Sequence, residues 1–147
     1  MKINILRTNP NAPLPIKKHE DDFCYDCFAV SEEEVHPNVW RYGLGISIQP
    51  SSEYDGSSIR GANFRARSSI WETGMILSNG QGTIDIDEYT GEIFMVFYHV
   101  ITDLPRYKVG DKICQFCLER TESLEFNEVT ELRKTKRGAN GYGSTGK

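Results

Sequence analysis

The chain has 147 residues, of which 38% are hydrophobic and 26% charged, and this composition predicts one globular domain with a core of its own. The formal net charge of −4 argues against a general nucleic-acid-binding protein, because such proteins usually present a basic face. No apolar run reaches the roughly 18–20 residues of a membrane span, and the first ten residues lack the long apolar core of a signal peptide. We therefore expect a cytoplasmic protein that binds neither nucleic acid nor membrane.

Period-two alternation dominates the chain and predicts strands. The clearest case is residues 40–49, WRYGLGISIQ, which we expect to form a single half-buried strand with Trp40, Tyr42, Leu44, Ile46 and Ile48 on its inner face. Further predicted strands are residues 1–6, 24–30, 83–87, 92–101 and 112–119. Helical periodicity is weak, and only SEEEVH (31–36) and SIWETGMIL (69–77) suit a short helical turn. Many short strands separated by turns predict an all-β barrel or sandwich.

The four cysteines fall in two CxxC pairs, Cys24 with Cys27 and Cys114 with Cys117. Two such pairs often indicate a zinc site. Here both pairs lie in predicted strands, where residues three apart point to opposite faces of the sheet. We therefore expect four reduced cysteines that serve as small apolar side chains, with a structural zinc protein as the alternative.

Residues 67–69, Arg-Ser-Ser, supply a guanidinium and two hydroxyl groups at the edge of a strand, a combination suited to phosphate oxygens. The same triplet also suits a solvated loop. Gln115 is an amide among apolar neighbours, and it either satisfies backbone groups or reaches a ligand.

Residues 78–93 predict a hairpin that begins with a glycine-rich turn and bends again at Thr90 and Gly91. It carries Asp85, Asp87 and Glu88. A carboxylate next to a phosphate ester can deprotonate a water for attack on phosphorus. The alternative is that these acids simply face solvent.

The chain ends in RGANGYGSTGK, residues 137–147, which cannot bury enough apolar surface to fold alone. Residues 119–131 hold five glutamates, whereas residues 133–147 hold five basic residues and no acid. The terminal segment is thus either a disordered remnant or a segment that orders on an anion. Its glycines can expose backbone N–H groups to a polyphosphate, and Tyr142 can cover a planar base.

These segments occur in a recognisable order. Their order is that of the five motifs of the trimeric deoxyuridine triphosphatases: YDCFA, RSS, NGQGTID with YTGEI, GDKICQ and RGANGYGSTG. The chain resembles that family over nearly its whole length. The resemblance implies a distorted, jelly-roll-like β-barrel over residues 1–132. It also implies a flexible glycine-rich arm over residues 133–147 that closes over the active site of a neighbouring subunit in a homotrimer.

By this resemblance the protein hydrolyses dUTP to dUMP and pyrophosphate with Mg²⁺. Asp85 would activate the water that attacks the α-phosphorus, and Asp26 would help to place the waters around a magnesium ion held mainly by the triphosphate. The implied substrate-binding residues are Arg67, Ser68, Ser69, Asn79, Gly82, Tyr89, Gln115, Arg137, Tyr142, Gly143, Ser144 and Thr145. Among these, Asn79 would read the uracil edge and Tyr89 would pack on the deoxyribose. From a neighbouring subunit, Tyr142 would stack on the uracil while the rest of the arm closes over the β- and γ-phosphates.

The chain departs from the family pattern in the hairpin, where Tyr89 follows Asp85 by four positions rather than the usual three. Asp87 is therefore a rival for the base; Asp85 is favoured because it keeps the family's distance from Asn79. Two other functions stay open. One is a dCTP deaminase, or a bifunctional deaminase and dUTPase, which shares the RSS motif and uses a glutamate base, for which Glu72 and Glu92 are present. The other is a nucleotide-responsive binding protein with weak hydrolysis.

Overall fold

The computed structural model describes residues 2–51 and 59–139, which form antiparallel strands and one short helix. The strands are β1 (Ile3–Arg7), β2 (Tyr25–Phe28), β3 (Ser31–His36), β4 (Val39–Gly43), β5 (Ile46–Pro50), β6 (Ile59–Ala66), β7 (Met75–Leu77), β8 (Gln81–Asp85), β9 (Phe94–His99) and β10 (Lys112–Thr121). A 3₁₀-helix spans Ser68–Glu72. The all-β prediction is confirmed.

The strands form three sheets. The site sheet has the order β2-β10-β6-β8, the back sheet has the order β3-β4-β9-β7, and β1 pairs with β5 in a two-stranded ribbon. The core lies between them, and all three sheets contribute buried side chains to it, among them Phe64, Phe97 and Ile48. Tyr42, Phe97 and Tyr107 pack edge to face with ring centroids 5.4–6.3 Å apart, while Phe64 stacks on Phe116 at 5.0 Å. Burial of each such side chain contributes about 1.5–3 kcal/mol.

The predicted single strand over residues 40–49 is wrong. The chain leaves the back sheet at Gly43 and enters the ribbon at Ile46, so β4 and β5 belong to different sheets. The break falls at Gly45, whose φ is +64°. A β-carbon there would lie 2.6 Å from Val30 Cγ2, so glycine is required both by the backbone and by the space. Residues 42–48 are all buried, which also differs from the expected half-buried pattern.

The predicted helical turn over residues 31–36 is also wrong, since these residues form β3 and pair with β4. Two of their glutamates form ion pairs with neighbouring strands and loops: Glu33 with Arg41, and Glu32 with Arg106. The other segment expected to be helical divides into the 3₁₀-helix and β7. A strand was expected next to Arg67, but the bounds of β6 were not predicted, because IRGANFRA has no clear alternation and its position is set by pairing with β10.

The predicted strands at residues 1–6, 24–30, 83–87, 92–101 and 112–119 correspond, with shifted ends, to β1, β2, β8, β9 and β10. Residues 78–93 do not form a hairpin of two mutually paired strands. Instead β7 pairs with β9 in the back sheet and β8 pairs with β6 in the site sheet, so the glycine-rich turn carries the chain from one sheet to the other. No helix in residues 2–51 and 59–139 is long and apolar enough to cross a membrane.

Candidate active site

A row of polar side chains crosses the outer face of the site sheet. Asp26 on β2 lies opposite Gln115 on β10, which lies opposite Arg65 on β6, and Arg65 lies opposite Gln81 on β8. Residues directly opposite one another in an antiparallel sheet share a face. The other face carries the core side chains, Phe64, Cys114 and Phe116 among them. The sheet therefore presents one face to the core and a polar face outward.

An ion-pair cluster lies at the edge of this face. Arg67, the residue that precedes the 3₁₀-helix, donates from Nε to Asp26 Oδ1 at 2.9 Å, and Lys112 donates from Nζ to Oδ2 at 3.0 Å. The Asp26 side chain is 15% exposed. Arg67 Nη1 also donates to Ser69 Oγ at 3.4 Å, and the neighbouring Ser68 is exposed. The guanidinium is thus fixed in place before any ligand binds.

These residues line an open cavity of about 420 Å³, which we call the basic cavity. Its walls are formed by Lys18, His19, Asp22, Phe23, Cys24, Asp26, Arg65, Arg67, Ser68 and Gln115. On its rim, the backbone N–H of His19 donates to Asp22 Oδ2 at 2.9 Å, and this hydrogen bond lowers the pKa of the Asp22 carboxyl. Arg65, Arg67 and Lys18 give the cavity a basic character that suits an anionic ligand.

A second, smaller cavity of about 80 Å³ lies between β8 of the site sheet and β9 of the back sheet, and we call it the apolar slot. Phe64, Ile84 and Met95 supply apolar walls, while Asn79 and Gly82 also line it. A β-carbon at Gly82 would lie 3.4 Å from the Asn79 amide nitrogen, so the glycine leaves room for that amide to lie against the strand. An apolar slot with one amide suits the edge of a planar polar ring.

Asp85 is the last residue of β8 and lies opposite Gly61, with its side chain exposed. Its carbonyl oxygen accepts hydrogen bonds from the N–H groups of both Glu88 and Tyr89, at 3.0 and 2.8 Å. The extra residue of this segment is therefore absorbed in a turn that closes on Asp85. Ile86 is fully buried, and the exposed Asp87 follows it beyond the end of the sheet.

Tyr89 is held by its own loop. Its hydroxyl donates to the Glu92 carbonyl oxygen at 2.7 Å. The ring lies over Gly91, where an added β-carbon would lie 2.5 Å from the hydroxyl oxygen. The loop is fixed in turn by Glu92, whose carboxylate accepts from the Gly45 N–H at 3.1 Å and from the Thr8 hydroxyl at 3.0 Å.

A single chain does not bring all the expected residues together. Asp26, Arg67, Ser68 and Gln115 meet in the basic cavity, with Ser69 beside Arg67. Gln81 on β8 belongs to the same cross-strand row as Gln115, and Asp85 lies four residues further along β8. Four residues of strand span about 13 Å, so Asp85 lies about that far from the row.

The predicted arm begins within the described residues and continues outside them. Arg137 is exposed in a turn where the Gly138 N–H donates to the Thr135 carbonyl oxygen at 3.2 Å. Tyr142, Gly143, Ser144 and Thr145 lie outside the described residues.

The cysteines form two cross-strand pairs on opposite faces of the site sheet. Cys27 lies opposite Cys114 on the core face, and a hydrogen bond between their thiols, together with burial, raises the pKa of Cys114 well above its ordinary value. On the polar face, burial raises the pKa of Cys117, and the nearby thiol of Cys24 raises it further. All four are free thiols, and the sheet separates the two pairs, so they do not converge on one metal.

Sequence reasoning missed several residues at the site, and two of them, Lys112 and Arg65, have a clear structural reason. Lys112 would share the core face with Cys114 under strict alternation. A register shift between Lys112 and Cys114 instead places Lys112 opposite Phe28, on the face of Asp26, and a bulge of this kind has no clear signal in the sequence. Arg65 was missed because the bounds and pairing of β6 were not predicted. The available signal was its position two residues before Arg67.

The structure is thus an all-β protein whose site sheet carries a cavity with basic walls and borders a smaller apolar slot. The chain belongs to the dUTPase family, whose model matches residues 11–146. It is 34% identical to the deoxyuridine 5′-triphosphate nucleotidohydrolase of Clostridium novyi, covering 99% of both chains, and 35% identical to that of Corynebacterium diphtheriae, covering 98% of this chain and 92% of the relative. The family expected from the five motifs is thus confirmed, and the protein is an enzyme of the nucleotidohydrolase class.

The solved structures agree on the fold. A mutant dUTPase of Staphylococcus bacteriophage 80alpha, with dUpNHpp, superposes with a TM-score of 0.77 at 16% identity, covering 99% of this chain and 98% of that one. A mutant dUTPase from phage phi11 of S. aureus, which coordinates a structural Mg(II) ion, superposes with a TM-score of 0.71 at 17% identity, covering 91% of this chain and 100% of that one. These likenesses confirm the jelly-roll-like β fold.

Proposed function

We propose that this enzyme hydrolyses dUTP to dUMP and pyrophosphate in a homotrimer, by attack of an Asp85-activated water on the α-phosphorus. The observation that carries the proposal is the basic cavity, in which Arg67, Ser68 and Gln115 converge beside the Asp26 carboxylate. The family assignment supplies the substrate, and the cavity supplies groups with the right charge for its triphosphate.

Arg67, Ser68 and Gln115 bind phosphate oxygens in this proposal. The Arg67 guanidinium is oriented by Asp26 and Ser69, so its placement costs little when the ligand arrives. Ser68 at the start of the 3₁₀-helix and Gln115 on β10 add neutral donors on either side of it.

Asn79 and Gly82 recognise the uracil in the apolar slot, and Tyr89 packs on the deoxyribose. The slot is small, and Gly82 keeps the Asn79 amide close to the strand. A methyl group in an apolar pocket is usually worth only about 1–3 kcal/mol, so rejection of thymine requires a rigid wall. The turn that joins the two sheets supplies rigidity here, because the Ser78 N–H donates to Val96 O at 2.9 Å and the Gly80 N–H to Leu77 O at 3.1 Å.

The residues fit a magnesium ion that is bound through the substrate rather than by a protein cage. Residues 2–51 and 59–139 contain no group of three or more His, Cys, Asp or Glu side chains placed to hold a metal. Each oxygen of Asp26 already accepts from a cation, which suits a carboxylate that orients water molecules rather than one that ligates a metal directly. When bound, Mg²⁺ neutralises the charge of the triphosphate.

Asp85 deprotonates the attacking water. It stays in register in the sheet and is exposed, whereas Asp87 lies beyond the sheet after the buried Ile86. Because Asp85 lies about 13 Å along the strand from the row of Gln115, the two residues that act on one phosphate come from different chains. This separation supports a site shared between subunits and hence the trimer.

The terminal arm completes the site in this proposal. Arg137, Ser144 and Thr145 close over the β- and γ-phosphates, Gly143 exposes its backbone N–H to them, and Tyr142 stacks on the uracil. The opposite charges of residues 119–131 and 133–147 support this division, because only the terminal part is basic.

The structure gives little support to Glu72 or Glu92 as the catalytic base of a dCTP deaminase. The Glu92 carboxylate is engaged by the Gly45 N–H and the Thr8 hydroxyl, so its role is to fix the loop. Glu72 is exposed at the end of the 3₁₀-helix and lines neither the basic cavity nor the apolar slot. The binding-protein alternative rests only on the longer Asp85 segment, which the turn at Asp85 accommodates.

The test is to follow pyrophosphate and ammonia from dUTP, dCTP, dTTP and UTP, each with magnesium and with a chelator, while measuring the mass of the assembly. We expect pyrophosphate from dUTP alone, in a magnesium-dependent reaction, and the mass of a trimer. Ammonia from dCTP would instead establish the deaminase. Binding of dUTP without pyrophosphate release would establish the binding protein.

A further inference from the structure

We propose that Arg65 is a further phosphate-binding residue of this enzyme, one that contacts the pyrophosphate part of the nucleotide. This inference rests on the proposed function, and it assigns a role to a residue outside the five motifs.

The position of Arg65 carries the first part of the inference. It lies directly opposite Gln115 in the sheet register and two residues before Arg67, which follows the end of β6 with an extended backbone, so all three side chains lie on the polar side of the sheet. All three line the basic cavity. An anion held by Gln115 and Arg67 is therefore next to Arg65.

The way in which Arg65 is held carries the second part. Its Nη2 donates to Glu119 Oε1 at 2.9 Å and contacts Cys117 Sγ at 3.5 Å, which fixes one end of the guanidinium. The Nε is buried and has no acceptor within the described residues, while the side chain as a whole is 34% exposed. The guanidinium is thus oriented on one side and open on another, as expected for a preorganised anion-binding group.

The balance of charge carries the third part. Asp26, inside the cavity, is shared by two cations, Arg67 and Lys112. The carboxylate that pairs with Arg65, Glu119, does not line the cavity, whereas Arg65 does. Within the cavity, the positive charge of Arg65 is therefore less neutralised than that of Arg67, and a polyanion gains more binding energy from contact with Arg65.

The experiment compares Arg65→Gln with three other variants. Arg65→Lys keeps the charge, Glu119→Gln breaks the ion pair but keeps the arginine, and Arg41→Gln removes an exposed arginine that pairs with Glu33 on the back sheet. For each, KM and kcat for dUTP are measured, with inhibition constants for pyrophosphate and for deoxyuridine. Thermal unfolding establishes that each variant is folded.

We expect Arg65→Gln to raise both the KM for dUTP and the inhibition constant of pyrophosphate by roughly tenfold, the scale of one charge-assisted contact. The inhibition constant of deoxyuridine, which has no phosphate, should stay unchanged. Arg65→Lys should recover part of the loss, and Glu119→Gln and Arg41→Gln should show less than about a twofold effect.

Equal losses in Arg65→Gln and Glu119→Gln would show that only the ion pair matters, and would overturn the proposal. So would an unchanged inhibition constant for pyrophosphate in Arg65→Gln. Calorimetric binding of pyrophosphate needs no turnover, so the role of Arg65 is tested even if the wild-type chain fails to hydrolyse dUTP. That failure would count against the proposed function alone.

Discussion

Arg67 reaches across strand β10 to bind Asp26 on β2, with 2.9 Å between Nε and Oδ1. The bond joins the end of a central strand to the edge strand of the same sheet. Because Lys112 holds the other oxygen of Asp26 at 3.0 Å, the carboxylate orients two cations at once. The charged groups of the basic cavity are thus arranged before substrate arrives, which is how a site avoids reorganisation during the reaction.

Replacing Asp26 by asparagine should disturb both the orientation of Arg67 and the placement of waters near the substrate's magnesium. We expect kcat/KM for dUTP to fall by about 10- to 100-fold, the scale of lost outer-sphere partners at metal sites, with a higher magnesium concentration needed for half-maximal rate. Titration of the rate with MgCl₂ checks this. Asp22→Asn is the matched control, because Asp22 lies on the same cavity rim but bonds only within its own loop. Equal effects of the two changes would contradict the role of Asp26.

Asp85→Asn should abolish most of the activity, since loss of a general base costs about 10²–10⁴-fold in rate. Asp87→Asn should change kcat by less than about threefold, because Asp87 lies beyond the sheet after the buried Ile86. Pyrophosphate release from saturating dUTP measures both. A larger loss in the Asp87 variant would transfer the role of base to that residue.

Gly91→Ala should weaken discrimination against UTP. A β-carbon at Gly91 would lie 2.5 Å from the Tyr89 hydroxyl oxygen, so the ring must move. In the proposed function this ring packs on the deoxyribose, where it would leave no room for a 2′-hydroxyl. We expect the ratio of kcat/KM for dUTP over UTP to fall by about tenfold, which corresponds to roughly 1.4 kcal/mol. Tyr89→Phe is the comparison: it removes the hydrogen bond to Glu92 O but keeps the ring. An unchanged ratio in the alanine variant would separate Tyr89 from sugar selection.

Gly45→Ala should destabilise the fold more than Gly80→Ala, although the two glycines have nearly the same φ, +64° and +66°. At Gly45 the added carbon would meet Val30 and Ala12 at 2.6 and 2.9 Å, whereas at Gly80 it would meet nothing within 4 Å. We expect a loss of about 2–4 kcal/mol at Gly45 and about 1 kcal/mol at Gly80. Urea unfolding gives both values, and equal losses would mean that backbone strain alone decides the cost.

Glu32 should make stability depend on pH. A hydrogen bond from Arg106 lowers the pKa of Glu32 in the folded state below its ordinary value of 4.5. The stabilisation is therefore fully present above about pH 4.5 and is lost as the pH falls through the folded pKa. We expect Glu32→Gln to cost about 1–2 kcal/mol at pH 7, with the difference from wild type shrinking below pH 4.5.

Urea unfolding of both proteins between pH 7 and pH 3 measures this difference. Glu33→Gln is the control one residue along the same strand, since its pair with Arg41 is more exposed and should contribute less than about 0.5 kcal/mol. A constant difference between wild type and Glu32→Gln across the whole range would contradict the linkage.

The sequence allowed the fold class to be predicted but not the points at which strands change sheets. The alternation from Trp40 to Ile48 is real, yet it continues through a break at Gly45 because residues on both sides of the break are buried. Periodicity records which residues face the core and does not record which sheet they join. The strand over residues 31–36 was missed for another reason, because its three consecutive glutamates hide any alternation of polar and apolar residues.

The ordered motifs predicted the candidate site residues, and local geometry explains why other residues of the cavity were not predicted. Asp26, Arg67, Ser68 and Gln115 do share one cavity. Lys112 lies beside them only because of a register shift between β2 and β10, and no residue type in the sequence indicates that shift. Tyr142 to Thr145 themselves lie outside the described part of the chain.

The distance between Asp85 and Gln115 along the site sheet has a consequence for how mutant alleles behave when they are expressed together. In the proposed trimer, a chain that lacks Asp85 and a chain that lacks Gln115 are each inactive alone, yet a mixed assembly contains sites in which one neighbour supplies the aspartate and the other the glutamine. If each site draws on two neighbouring subunits in a fixed order, random mixing restores roughly a quarter of the sites. Two null alleles of this gene would then complement each other in one cell, whereas a chain carrying both changes would rescue neither.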